Sequence, residues 1–131
     1  MARAPDTIGE VMTTDVVTVT PDATVRDALR AMVEHDIGSV VVVDGGTAVG
    51  VFTERDVTRH LLTGVALLDG RVGELMSTPP VTVAPSEQVV DVFEVMNGRR
   101  VRRLPVVEDG RLLGIVTEGD LRRWVGQVAR E

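Results

Sequence analysis

Cysteine is absent from this 131-residue chain, which excludes disulfides, thiolate metal sites and cysteine nucleophiles together. Lysine is absent too, so all 14 basic residues are Arg, whose planar fork suits phosphate and carboxylate groups. There is no Tyr, and two Phe and one Trp are the only aromatic residues, so the core must be aliphatic. No apolar run approaches the roughly 18 residues needed to cross a bilayer. The opening residues lack the basic, apolar and small-residue zones of a signal peptide. A soluble cytoplasmic protein with no membrane partner is expected. A net charge of −6 argues against general nucleic-acid binding. His35 and His60 are the only histidines and share no short ligand spacing, so no metal site is expected. No Ser or Thr has a base and an orienting acid beside it, and no phosphate-cradling loop is present. The chain does not read as an enzyme.

What is present is a repeat. Shifted by 64 positions, Ile8–Val57 lies on Val72–Leu121 without a gap, and 18 of the 50 columns are identical. Many other columns exchange one apolar residue for another. Such a tandem repeat is two copies of one structural unit, and two like units create a shared cleft where function is expected.

Each copy reads as β-α-β-β-α. Val16–Val19 and Val81–Val83 are short β-branched runs that read as strands. They end at Pro21 and Pro85, prolines suited to the first turn of a helix. Val25, Ala28, Leu29 and Met32, and likewise Val89, Val92, Phe93 and Met96, give one apolar stripe per helix. Asn97-Gly98 is a candidate stop for the second of these. The continuous runs Val40–Val43 and Leu104–Val107 suit strands buried on both faces. Asp44-Gly45-Gly46 and Glu108-Asp109-Gly110 read as hairpin turns into the strands Val49–Phe52 and Leu113–Val116. Thr53 and Thr117 then start a second helix. Leu61 and Leu62 form its apolar face in the first copy; Leu121, Trp124, Val125 and Val128 form it in the second. The expected organisation is one unit over 8–62, a linker over 63–71 and a second unit over 72–128. A single unit of about 50 residues is marginal alone, so the two are expected to pack together.

The sharpest local signal is Gly50-Val51-Phe52-Thr53-Glu54-Arg55-Asp56, answered by Gly114-Ile115-Val116-Thr117-Glu118-Gly119-Asp120. Two readings stand side by side. Thr-x-x-Asp at a helix start resembles a capping box, which is purely structural. Strand ends in α/β folds are also where ligands are commonly bound, and here the arrangement occurs twice.

The whole pattern resembles the paired cystathionine β-synthase (CBS) domains. The resemblance rests on Val-Thr-Val-x-Pro, the buried run Arg103-Leu104-Pro105-Val106-Val107, the Asp/Gly turn and Gly-x-x-Thr-x-x-Asp, over about residues 8–125. Copy one departs from the family with Val41 where copy two has Pro105. The resemblance implies an α/β fold of the α+β kind, with two tandem units packed about a pseudo-two-fold axis. It implies that Asp56 and Asp120 accept hydrogen bonds from the two hydroxyls of an adenosine ribose, since a carboxylate offers two acceptor oxygens to a diol. Thr53 and Thr117 would bond the ribose or first phosphate. It also implies sites that cross the repeats. Thr53 and Asp56 would join Thr78, Pro79, Pro80, Val81, Val101 and Arg103; Thr117 and Asp120 would join Val16, Val17, Ile37 and Gly38. Ile115 belongs to the apolar adenine slots. Arg102 and Arg103 enter the second strand as phosphate-directed cations, whereas Arg99 and Arg100 read as solvated charges near a helix end. Copy one has Gly38 and Ser39 at the columns of Arg102 and Arg103, so the two sites are expected to be unequal.

The function implied is a regulatory sensor that binds AMP, ADP, ATP, NAD or S-adenosylmethionine and signals to a separate effector protein. It needs no cofactor beyond the regulatory nucleotide. The competing reading is a structural or stress-response interaction protein of the same fold with empty clefts. A homodimer is expected, because each unit carries two apolar helical stripes and the family pairs as a disc of four units.

Overall fold

The computed structural model describes residues 5–62 and 66–131; the first three positions of the expected linker, 63–65, lie outside them. In chain order the described elements are α1 (Ile8–Val11), β1 (Thr18–Val19), α2 (Val25–His35), β2 (Ser39–Asp44), β3 (Thr47–Thr53), α3 (Glu54–Leu61), a 3-10 turn at Leu67–Asp69, α4 (Val72–Leu75), α5 (Val89–Arg99), β4 (Arg103–Glu108), β5 (Arg111–Thr117) and α6 (Glu118–Ala129).

The compact units are offset from the repeats of the sequence. One unit is Val16–Pro80; the other joins the first 15 residues to Val81–Glu131. The opening turn of each repeat therefore lies with the body of the other. Ile8 is fully buried among Val89, Val92, Leu104, Val106, Val116 and Leu121, and Val72 among Val25, Ala28, Val40, Val42 and Phe52. Burying one such side chain stabilises by about 1.5–3 kcal/mol. Backbone bonds repeat the arrangement. Ile8 and Gly9 donate to Glu87 and Pro85 at 2.9 Å, while Val72 and Gly73 donate to Ala23 and Pro21 at 2.9 and 2.8 Å.

In the Val16–Pro80 unit, β1 runs parallel to β2, which pairs antiparallel with β3. In the other unit β4 and β5 form the same antiparallel hairpin. Gly45-Gly46 and Asp109-Gly110 close these hairpins as two-residue turns with both central φ positive, the geometry that matches strand twist. Each ladder slips by one residue, between Val42 and Val43 and between Val106 and Val107, so both hairpins carry a bulge. The runs Val40–Val42 and Leu104–Val106 are wholly buried, as their continuous apolar sequence implies.

Several expectations need correction. Val81–Val83 forms no strand, because only Val83 bridges to Val106, and the β1 run shortens to two residues. Pro21 sits in the turn before α2, which starts at Val25 behind the N-cap Thr24. The α5 helix continues through Asn97-Gly98 to Arg99 and stops at Arg100 in the left-handed region (φ 54°), because the chain turns there: the Arg100 and Val101 N–H groups both bond the Met96 carbonyl, and Val101 packs against the core. Leu61 and Leu62 are not an inward face: they are 62% and 94% exposed. The α3 helix turns Asp56, not these leucines, into the protein. In α6, Leu121 is buried and Trp124 partly so, while Val125 and Val128 are 46% and 41% exposed. The stretch after position 65 is more than a linker, since Leu67 enters the core around Val25.

Candidate functional site

Strand β3 delivers Thr53 to the start of α3, and β5 delivers Thr117 to the start of α6. In each case the Thr N–H (2.9 Å) and hydroxyl (3.1 Å) donate to Oδ2 of the aspartate three residues on. The aspartate N–H returns a bond to the Thr hydroxyl, at 3.1 Å for Asp56 and 3.2 Å for Asp120. These are complete capping boxes, so the structural reading of Thr-x-x-Asp holds for one carboxylate oxygen.

The chain contains a third Thr-x-x-Asp that serves as an internal control. Thr24 and Asp27 cap α2 in the same way, yet Asp27 is exposed and its described bonds are only those of the cap. Asp56 and Asp120 are 2% and 4% exposed and have recruited partners from elsewhere. A buried carboxylate is costly unless hydrogen-bonded, and capping alone does not require the burial. Oδ1 of Asp56 accepts from the Ser77 hydroxyl (2.9 Å), and Oδ1 of Asp120 accepts from the Thr13 hydroxyl (3.2 Å). Arg59 stands 3.9 Å from Asp56 Oδ1, and Arg123 hydrogen-bonds Asp120 Oδ1.

Ser77 and Thr13 occupy one column of the repeat. Both are brought to the aspartates by antiparallel bridges, Val51 with Ser77 and Ile115 with Thr13. The glycine of Gly-x-x-Thr-x-x-Asp makes room for this segment. A Cβ at Gly50 would stand 2.5 Å from Met76 Sδ and 2.9 Å from the Ser77 carbonyl oxygen. At Gly114 it would stand 2.8 Å from both Met12 Sδ and the Thr13 carbonyl oxygen. The identical Gly and Met columns are thereby explained.

The residues expected at the sites divide as follows. Thr53, Asp56, Val16, Val17, Ile37, Gly38, Thr78, Pro79 and Pro80 belong to one unit; Thr117, Asp120, Val81, Val101, Arg102, Arg103 and Ile115 belong to the other. Within the first, the Gly38 carbonyl accepts from the Glu54 N–H (3.0 Å), the Val17 carbonyl accepts from Val41 N–H (3.3 Å), and the Thr78 hydroxyl donates to the Val49 carbonyl (2.8 Å). Within the second, the Arg102 carbonyl accepts from the Glu118 N–H (3.1 Å), and Arg103 faces Thr117 in the β4–β5 register. Both α3 and α6 thus begin against the entry of their own second strand. Sequence reasoning passed over Ser77, Thr13, Arg59 and Arg123. Their signal was nonetheless in the repeat: a hydroxyl in both copies of one column and Arg in both copies of another, two positions beyond the aligned run. Among the described residues no group of three or more His, Asp or Glu is placed to hold a metal ion.

The sequence matches the CBS domain family twice, over residues 8–63 and 72–127. The chain belongs to the CBS domain family. It is 37% identical over 126 residues to the CBS domain-containing protein YhcV of Bacillus subtilis, covering 95% of this chain and 87% of that one. Several other curated relatives are longer, and the chain spans less than two thirds of them. Among solved structures it resembles CBSX2 in complex with AMP, with 34% identity and a TM-score of 0.84, covering 96% of this CBS chain and all of CBSX2. It also resembles Hypoxic Response Protein I with two coordinated zinc ions, with 34% identity and a TM-score of 0.80, covering 89% and 97%.

Proposed function

We infer that this CBS pair is a regulatory module that binds an adenosine-containing ligand through Asp56 and Asp120 and signals to a separate effector protein. The single observation that carries this reading is the contrast among the three Thr-x-x-Asp motifs. Asp27 caps a helix from the surface, whereas Asp56 and Asp120 are buried and present a second oxygen to hydroxyl donors. The Ser77 and Thr13 hydroxyls there stand where a ribose hydroxyl would donate. The AMP complex of the similar CBSX2 supports an adenine nucleotide as the ligand. Thr53 and Thr117 would contact the ribose or first phosphate, and Arg102 and Arg103 would be the phosphate-directed cations. Apolar residues of the expected slots, Val16, Val17, Ile37, Val81, Val101 and Ile115, would take the base. The module would act by binding its ligand with different affinity in two conformations, not by catalysis. A homodimer would cover the exposed apolar residues of α2, α5 and α6, Val33, Val90, Phe93, Val125 and Val128.

One observation favours the second reading, an interaction protein without ligand: every oxygen of both carboxylates already has at least one partner in its own chain. Thermal-shift titration with AMP, ADP, ATP, NAD and S-adenosylmethionine separates the two. A ligand at 100 times its dissociation constant adds about 2.7 kcal/mol. Wild type is expected to gain stability with at least one of them, and a folded Asp56→Ala, Asp120→Ala variant is expected to lose that gain. An unchanged response in the variant removes the ribose assignment; no response in wild type favours the interaction protein.

A further inference from the structure

Arg59 and Arg123 share a column of the repeat, each one helical turn beyond its aspartate, yet they stand differently. Arg123 Nη2 donates directly to Asp120 Oδ1, whereas Arg59 Nη1 stops 3.9 Å from Asp56 Oδ1, beyond hydrogen-bond range. Both guanidiniums are mostly exposed (63% and 72%), and both aspartate side chains are buried, so each Arg approaches its carboxylate from the solvent side.

Lone-pair arithmetic makes the difference consequential. A carboxylate oxygen accepts about two hydrogen bonds. Oδ2 of both aspartates is filled by the Thr N–H and hydroxyl at the helix start. Oδ1 of Asp56 carries one bond, from Ser77, and keeps capacity for another. Oδ1 of Asp120 carries two, from Thr13 and Arg123, and is full.

The neighbouring column gives a reason for the asymmetry. A Cβ at Gly119 would lie 3.7 Å from Arg123 Nη1, so a bare glycine flanks the bound guanidinium. Copy one has Arg55 in that column, a like charge one turn before Arg59. Like charges at this helical spacing disfavour closure of the second Arg onto the aspartate.

We propose that Arg123 is a latch on Asp120: an adenosine ligand must displace it to be received there, while Asp56 stands unlatched and fills first. This inference rests on the functional reading above and adds an order of occupancy that the two Thr-x-x-Asp motifs alone do not carry. Adenosine is the discriminating probe, because without phosphate it cannot profit from a nearby cation.

The full chain would be titrated calorimetrically with adenosine and with AMP. In an Asp56→Asn background, which leaves only the Asp120 site, Arg123→Gln is expected to raise adenosine affinity about fivefold. In an Asp120→Asn background, Arg59→Gln is expected to raise it by less. Gly119→Arg, which adds the like charge of copy one, should reproduce part of the Arg123→Gln gain. Unchanged or weakened adenosine binding in Arg123→Gln overturns the latch; if AMP alone weakens, the residue is a phosphate contact instead. Melting supplies a ligand-free arm. A double-mutant cycle of Asp120→Asn with Arg123→Gln should show coupling that exceeds the corresponding cycle at Asp56 and Arg59; equal coupling overturns the proposal. If the coupling is unequal but wild type binds neither probe, the functional reading fails and Arg123 is an ordinary ion-pair partner.

Discussion

Two copies of one unit face the same physical problem in this chain and solve it with different residues at many columns. Among the columns that stayed identical are those that assemble the buried aspartate. Gly50 and Gly114 admit the crossing segment, Met12 and Met76 pack on them, Thr53 and Thr117 start the helix, and Asp56 and Asp120 end up inside. The columns that diverged lie around this frame. Phe52 answers Val116 in the core, Asp36 answers Arg100 at a helix end, and Gly38-Ser39 answers Arg102-Arg103 at the second strand. The frame is therefore held by steric and hydrogen-bond demands that admit few residues, while packing volume and charge were free to differ. Two aspartates in one frame can then differ in what guards them.

The largest break in this symmetry lies in the cores. Phe52 and Val116 are both fully buried in the same column, but Phe52 fills far more volume. Phe52→Ala is expected to cost about 3–5 kcal/mol, and Val116→Ala about 2 kcal/mol, in urea unfolding. Equal costs would mean that the two cores do not depend on these positions in the way the burial implies.

The helix ends come next. Asp36 and Arg100 both terminate their helix in the left-handed region, at φ 53° and 54°. Asp tolerates this conformation and Arg does not, so Arg100→Gly is expected to stabilise by about 1 kcal/mol and Asp36→Gly by a few tenths. Thermal melts of the two variants check the order; a larger gain at Asp36 would contradict it.

The smallest effect concerns a polar pair that only copy one possesses. The Thr20 hydroxyl donates to Asp22 Oδ1 at 2.6 Å; copy two has Ala84 and Ser86 there. That hydrogen bond, with the Asp22 backbone bond and the Arg71 charge, holds the Asp22 carboxyl below its ordinary range. A depressed folded-state pKa contributes stability above the ordinary aspartate range and loses it as pH falls through the depressed value. Thr20→Ala is therefore expected to lower stability slightly at neutral pH, with the difference from wild type fading as the solution is acidified. A difference that persists at low pH would place the effect in packing instead.

Much of the fold was legible because its signals are redundant. The hairpins around Gly45-Gly46 and Asp109-Gly110, the buried runs beside them and the Thr-capped helices each appear twice with turn chemistry attached. What was not legible depended on tertiary context. Leu61 and Leu62 read as an apolar face, but the face of α3 that turns inward is set by the bonds that bury Asp56. Asn97-Gly98 read as a stop, but α5 runs on to Arg99 and is closed by the Arg100 and Val101 N–H groups on the Met96 carbonyl. At the site, Thr53, Asp56, Thr117 and Asp120 stood out through the repeated motif. Ser77 and Thr13 did not, because their role comes from a bridge between segments 26 and 102 residues apart, at Val51 and Ile115. Spacing along the chain carries no record of such a contact; only the hydroxyl shared by both copies hinted at it.

Whether the buried aspartates receive ribose hydroxyls can be measured without mutating the protein. AMP and 2′-deoxy-AMP differ by a single hydroxyl, so their affinities for the wild-type chain report directly on that contact. Removing one hydrogen bond to a charged acceptor is expected to weaken binding by about 1.5–3 kcal/mol, roughly a factor of 10 to 150. AMP is expected to bind tightly and the deoxy compound at least tenfold more weakly. Equal affinity for the two would contradict the ribose contact, and would leave Asp56 and Asp120 as buried helix caps.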